Sequence, residues 1–393
     1  MARKGQPWLA FCLLGLVSLL FLAGEVHNGR LHYYDFEVYY KAGARVVAGE
    51  NLYRPETDGF YEYLYSPPGA LYFAPISLLP FPVAKVVYWV FLTTVVLLGF
   101  CLSVLLVCPE FRDVPSRSLN ALLLLAAIVL GVHIQRELHL GQVNHLLLVM
   151  YLGMAWLFTR KRPVALAAIW AASIFIKPLA LIFVPYFMVK RRYRELAWFV
   201  VIAALIFLLP LFFYGRTGFW DQYRGQIRTY ETEALQKVDV AAPGNYTLSS
   251  VIVRYSPLRL VSWPPARAAA LSAVVVALAC LAVLWLIRRG RHVPDSHVLE
   301  FAALVALIPL LSATSYNAYG FLELAVFLLL FRFRQLGPSA RACAVAGMVL
   351  SGGNWSDLWG RRLWFVFDHL SLVAVGGLIL CGVLWKARAD GVS

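Results

Sequence analysis

Residues 160–192 read RKRPVALAAIWAASIFIKPLALIFVPYFMVKRR. Two cationic clusters, Arg160-Lys161-Arg162 and Lys190-Arg191-Arg192, bracket the stretch 163–189, whose one charged side chain is Lys177, followed at once by Pro178. A bilayer is crossed by about 20 apolar residues, with a range of about 17–25, so 163–189 is too long for one upright helix. Proline removes a backbone donor and disfavours α conformation in its predecessor, so the run breaks at Lys177-Pro178. Basic residues concentrate on the cytoplasmic side of membrane spans. With cations at both ends, the pattern predicts two short helices that leave the cytoplasmic face and meet at Ile176-Lys177-Pro178 near the outer face.

The rest of the chain has the same character. Of 393 residues, 61% are hydrophobic and only 14% charged, and the mean hydropathy is +0.70. Ordinary globular chains are near half apolar and about a quarter charged, so one water-facing domain could not hide these side chains. Further apolar runs at 8–24, 83–107, 195–214, 266–287 and 366–385 are clear spans, and shorter ones lie at 119–134, 143–159, 298–313, 319–333 and 339–352. With the broken pair, these give an all-α polytopic membrane protein of about twelve spans, read as a single domain over 1–393, with both termini inside. The first run follows Arg3 and Lys4 without a convincing cleavage site and is read as a retained anchor. A net charge of +14 suggests nucleic acid, but the cations come in twos to fours between apolar runs, which excludes that partner. No two of the six cysteines have C-x-x-C spacing, so neither a disulfide framework nor a zinc site is supported.

Two long outer loops, 25–82 and 215–265, interrupt the spans, and a shorter outer segment, 353–365, carries Trp355, Trp359 and Trp364. Loops of this length are uncommon unless they work. The polar residues that fit neither lipid nor simple turns fall on the same expected face. They are Asp35 and Glu37 after the first span, Gln142 and Asn144 entering a span, Lys177 at the hairpin tip, Asn245 and Arg254 in the second loop, and Asn317 and Glu323 between later spans. A transmembrane pathway would need polar groups at several depths; a one-sided cluster of acid, base and amides describes an outward-facing active site. His133, His139 and His145 recur every six residues, a step of about 600° on a helix, so they point to different sides and no metal site is expected.

The first loop carries Asp35-x-x-x-Tyr39-Tyr40-x-Ala42-Gly43, then Gly49-x-x-Leu52-Tyr53, then Tyr65-Ser66-Pro67-Pro68-Gly69-Ala70-Leu71 and Leu78-Leu79-Pro80. Gly141-Gln142-Val143-Asn144 follows at the head of a span, then Ile176-Lys177-Pro178, and then Asn245-Tyr246-Thr247-Leu248-Ser249 with Arg254. In this order, over roughly residues 30–255, these segments resemble glycosyltransferase family 87. That family comprises membrane-embedded GT-C enzymes and includes polyprenyl-phosphate-mannose-dependent α-mannosyltransferases. The resemblance implies a GT-C-like bundle, a polyprenyl-phosphate sugar as donor, a glycolipid or polysaccharide as acceptor, and an active site on the outer side of the inner (plasma) membrane. It lapses toward the C-terminus, where those mannosyltransferases tend to show Ser-Pro-x-Ser-Trp and histidines. This chain has Ser312-Ala313-Thr314-Ser315-Tyr316-Asn317-Ala318-Tyr319, with no histidine at 317–319. For the sugar, the resemblance implies mannose or a related hexose.

A sugar on a polyprenyl phosphate is already activated, so one carboxylate suffices to deprotonate an acceptor hydroxyl during in-line displacement with inversion. Asp35 is the candidate base, with Glu37 as base or orienting neighbour. Lys177 and Arg254 suit the leaving phosphate, and a helix N-terminus at Pro178 would add favourable potential. Tyr39, Tyr40 and Tyr65 offer rings to the sugar or the lipid, while Gln142, Asn144, Asn245, Asn317 and Glu323 complete the expected substrate-binding set. No metal or other cofactor is expected. A lipid-linked sugar flippase or transporter is the alternative, but several spans are nearly bare of polar groups at mid-depth.

Overall fold

The computed structural model describes residues 7–390 apart from 60, 290–296, 313–314 and 316–317. It is all-helical, 81% helix, with no strand among the described residues. Among the described residues, five helices are long and apolar enough to cross a membrane: Trp8–His27, Phe81–Val107, Ser116–Leu140, Pro265–Arg289 and Leu372–Ala389. A bent pair beginning with Tyr193–Leu208 brings the total to as many as six. Shorter apolar helices are Asn144–Thr159, Pro163–Ile176, Pro178–Val189, His297–Leu311 and Ala318–Phe331. Large apolar side chains also face outward from the helices; Leu20, Phe212, Leu278 and Val349 are all more than half exposed. Lipid is the solvent in which such surfaces are stable, so this is a membrane protein.

The described residues group into two compact units. One takes 17–96 and 137–237, the other 1–16, 97–136 and 238–393. In the first, helix Pro163–Ile176 ends where the sequence predicted. Lys177 is extended (φ −142°, ψ 132°), as a residue before proline should be. The chain then forms a five-residue 3₁₀ turn, Pro178–Ile182, and the short helix Phe183–Val189. The expected α-helical N-terminus at Pro178 is thus absent. Pro185 has no N–H to give the carbonyl of residue 181, so an α-helical ladder cannot run through both prolines.

The first long loop is substantially helical. Tyr33 adopts the left-handed conformation (φ 60°, ψ 45°) and launches helix Tyr34–Ala48, which Gly49 closes in the same conformation. Tyr33 is fully buried, stacked on Trp89 and edge-on to Phe36 and Tyr88, which holds this uncommon backbone in place. The early part of the second loop packs on the first: Leu52 N–H donates to Gln222 Oε1 at 3.0 Å.

In the other unit, the apolar run at 366–385 is divided between helices Ser356–His369 and Leu372–Ala389, separated by Ser371 at φ 46°. The carbonyls of Asp368 and His369 are taken by Arg254, so the first helix stops there. In the first unit, 195–214 likewise breaks after Leu208, just before Pro210.

Candidate functional site

The turn from Ser116–Leu140 into Asn144–Thr159 is the local structure on which the site is built. Gly141 is left-handed (φ 72°), and a Cβ there would lie 2.7 Å from the Phe36 Cβ and 3.1 Å from the Tyr33 ring. Only glycine permits both the conformation and the approach. The Glu137 carbonyl accepts from Gly141 N and Gln142 N at 3.0 and 3.1 Å, a helix-ending pattern that places Gln142 and Asn144 at the head of the next helix.

Gln142 then reaches Asp35: its Nε2 donates to Asp35 Oδ2 at 2.6 Å. From the break after Pro163–Ile176, Lys177 Nζ donates to Asn144 Oδ1 at 2.8 Å and to Gln142 Oε1 at 3.4 Å. The same ammonium lies 5.5 Å from the centre of the Tyr65 ring. Tyr65 is delivered by the Tyr-Ser-Pro-Pro-Gly segment, which packs on the end of the lysine's own helix. Ser66 Oγ donates to the Phe175 carbonyl at 2.5 Å, and at Gly69 a Cβ would stand 2.5 Å from that same oxygen. Tyr39 is buried and shares a 3.0 Å hydroxyl contact with Tyr65.

Asp35, Tyr39, Tyr65, Gln142, Asn144 and Lys177, named from the sequence, therefore come together. Burial lifts the Asp35 carboxyl above the usual carboxylate range; the Lys177 ammonium and the Gln142 amide draw it back, and Glu137 pushes it up. A raised carboxylate is the stronger base, and it stands beside a cation that suits an anionic leaving group. Glu37 takes no part in this array. It projects to the exposed flank and pairs with Lys41 Nζ at 2.7 Å. The Tyr40 hydroxyl donates to the Leu79 carbonyl at 2.7 Å.

The remaining candidates lie in the other unit. Asn245 is fully buried and shapes its own turn, with Nδ2 on the Asp239 carbonyl at 2.8 Å and Oδ1 accepting from Thr247 N and Ser315 N, both at 3.4 Å. Arg254 donates to the carbonyls of Asp368 (3.1 Å), His369 (2.5 Å) and Ala242, and burial lowers its pKa below the usual arginine value. Next to them Tyr246 bonds Asp368 and accepts from Asn354 Nδ2 at 2.6 Å. Glu323 is fully buried and accepts from Ser103 Oγ at 2.9 Å. Asn317 lies outside the described residues.

Sequence reading missed Glu137, which is 1% exposed and central to the first array. Its signal was present: an acid in the last turn of a long apolar run, where ionisable residues are costly and are retained for a purpose. The three histidines find separate surroundings, His133 on the Ser351 carbonyl (2.9 Å), His139 on Glu25 (2.6 Å) and His145 near Glu137 (3.8 Å).

No curated protein matches the chain. The family model for glycosyltransferase family 87 matches residues 63–311, a range that takes in Tyr65, Gln142, Asn144, Lys177, Asn245 and Arg254 and begins after Asp35. Since that range is well over half of the 393 residues, the protein belongs to glycosyltransferase family 87.

Proposed function

We propose that the protein is an inverting glycosyltransferase that moves mannose or a related hexose from a polyprenyl-phosphate sugar to a hydroxyl of a glycolipid or polysaccharide. The reading includes about twelve spans, an inner-membrane location and an active site on the outer face. In the reaction the acceptor oxygen forms a bond to the anomeric carbon as that carbon's bond to the phosphate oxygen breaks. The acceptor proton passes to Asp35, and the negative charge left on the phosphate is received by Lys177. Tyr65, beside that ammonium, offers its ring to the sugar or to the first isoprene units. Asn245 and Arg254 serve by shaping the second loop, since both ends of the Asn245 amide and the two terminal nitrogens of the Arg254 guanidinium are held by backbone groups. The site is read as working without a metal.

The observation that supports this most is the chain Asp35–Gln142–Lys177: a carboxylate and an ammonium held apart by one amide that bonds both. The test uses the purified protein in lipid nanodiscs with a radiolabelled polyprenyl-phosphate sugar and membrane glycolipid as acceptor. Asp35→Asn is expected to lower turnover by at least ~10²-fold, the size of a lost general base, while Glu37→Gln stays within a few-fold of wild type. The reverse ranking transfers the role of base to Glu37. Turnover that stops with a chelator and returns with added metal overturns the metal-free reading.

A further inference from the structure

Around Lys177 each of two amides is held at its far end by a carboxylate. Gln142 gives its NH₂ to Asp35 and its oxygen to the ammonium. Asn144 gives its NH₂ to Glu137 Oε2 at 3.2 Å and its oxygen to the ammonium at 2.8 Å. The second arm involves no candidate base and none of the reacting atoms, yet it makes the shorter bond to the lysine.

We infer that Glu137 is a positioning residue: it fixes which way the Asn144 amide faces and thereby places the Lys177 ammonium. An ionised carboxylate only accepts hydrogen bonds, whereas an amide has one donating and one accepting end. With Glu137 on one side, the Asn144 NH₂ must turn to it, and the oxygen is left facing the lysine. The other Glu137 oxygen accepts from His145 N at 2.8 Å, at the head of helix Asn144–Thr159, where Val143 provides no side-chain cap. The Glu137 carbonyl also receives Gly141 N and Gln142 N. One buried side chain and its own carbonyl therefore order the whole segment that carries both amides. An ammonium has three donors; the amides take two and leave the third for an oxygen of the ligand.

Glutamine at 137 has nearly the same shape but can donate. Its NH₂ would satisfy the Asn144 oxygen, and the Asn144 NH₂ would then face the ammonium, donor against donor. The consequence for catalysis rests on Lys177 receiving the donor's phosphate, so the experiment keeps the two questions apart. The full chain in nanodiscs is exposed to limiting N-acetoxysuccinimide, and acetylation of Lys177 is followed by peptide mass spectrometry, with exposed Lys161 as internal reference. Glu137→Gln is expected to raise Lys177 labelling roughly 10- to 100-fold, the range one charge-assisted hydrogen bond commands. Asn144→Ala should do the same, and the double variant no more than Asn144→Ala alone, because Glu137 acts through Asn144. Unchanged labelling in Glu137→Gln, or full additivity in the double variant, overturns the inference. Should the glutamine variant not fold, the same cycle with Glu137→Asp decides, since the shorter side chain withdraws its charge from Asn144.

A second arm adds polyprenyl phosphate without sugar. Protection of Lys177 in the wild type supports the phosphate role. Lack of protection removes that role, and the positioning of Lys177 by Glu137 and Asn144 then stands or falls on the labelling cycle alone.

Discussion

Replacing Lys177 by methionine removes a charge and little volume, and its effect on the Asp35 carboxyl can be worked from the geometry. Two hydrogen bonds in series through Gln142, of 2.6 and 3.4 Å, separate the carboxylate from the ammonium. Across that amide the two charges lie at most about 8 Å apart, which at an effective dielectric near 20 is worth about 2 kcal/mol, or ~1.5 pK units. Solvent near these half-buried groups reduces the expected shift to about one unit. The groups acting on Asp35 are Lys177 and Gln142, which lower its pKa, and Glu137, which raises it; buried Tyr39 and Tyr88 also interact with it. Loss of the cation disfavours the carboxylate, so the pKa rises. The acid limb of the kcat/KM profile, which reports the free enzyme's base, moves to higher pH.

Glu137→Gln removes a like charge, so while Lys177 stays bonded to Gln142 the same limb should move the other way, to lower pH, and by less than in Lys177→Met, since Glu137 is the weaker of the two charges acting on Asp35. The opposite signs make the pair informative, because damage to packing would weaken both variants without pulling their profiles apart. The assay is kcat/KM for the labelled donor in nanodiscs, from acid to neutral pH, with residual activity scaled for each variant. A limb that stays in place, or moves to lower pH, in Lys177→Met would refute the electrostatic link between carboxylate and ammonium.

Two further outcomes concern the backbone. Gly141→Ala forces a Cβ to 2.7 Å from Phe36 at a left-handed φ, and the combined strain should destabilise the fold by about 2–4 kcal/mol and lower activity further by displacing Gln142. A thermal melting point within a degree of wild type would show that the turn yields more readily than this contact implies. Lys161 and Arg191 end their helices at φ 55° and 56°, where glycine is the usual occupant. Lys161→Gly and Arg191→Gly should each stabilise by about 0.5–1 kcal/mol net of glycine's extra entropy, and a lower melting point in either would show that the charge matters more than the strain.

The break at Lys177-Pro178 was legible because proline and charge act locally and need no tertiary partner. Gln142, Asn144 and Tyr65 were legible as motif residues, but their common destination was not. It depends on a left-handed Tyr33 held by Trp89 and on a glycine that lets two helices touch, and neither contact leaves a periodicity in the chain. Helix Tyr34–Ala48 was hidden for the same reason: its start is set by ring packing, with no side-chain hydrogen bond at its cap. Asn245 and Arg254 show the opposite case. Their residue types suit ligand binding, but in the fold backbone carbonyls and amides take the Asn245 amide and the terminal nitrogens of Arg254, which no linear spacing reveals. The division of 366–385 into two helices depends on Arg254, more than a hundred residues earlier.

The array also explains why a base and a phosphate-binding cation should share an amide. Without ligand it holds two carboxylates and one ammonium, so an arriving phosphate meets an unfavourable net charge. When the acceptor's proton reaches Asp35, one of those negative charges disappears as charge develops on the leaving oxygen, and Lys177 then acts on the phosphate with less opposition. Base and cation are thus coupled in time as well as in space. Asp35→Asn imitates the protonated state permanently. It should abolish turnover and yet bind polyprenyl phosphate more tightly than wild type, by up to about tenfold for a gain near 1.4 kcal/mol. Acidification should bring the wild type toward the variant's affinity as Asp35 protonates, so the ratio of the two narrows, while the ligand's own second phosphate ionisation, near pH 6, acts on both alike. Titration of nanodisc-bound protein with polyprenyl phosphate at two pH values measures both. Weaker binding by Asp35→Asn at neutral pH would mean that the carboxylate contributes to holding the phosphate rather than opposing it, and the coupling between proton transfer and departure of the phosphate would fall with it.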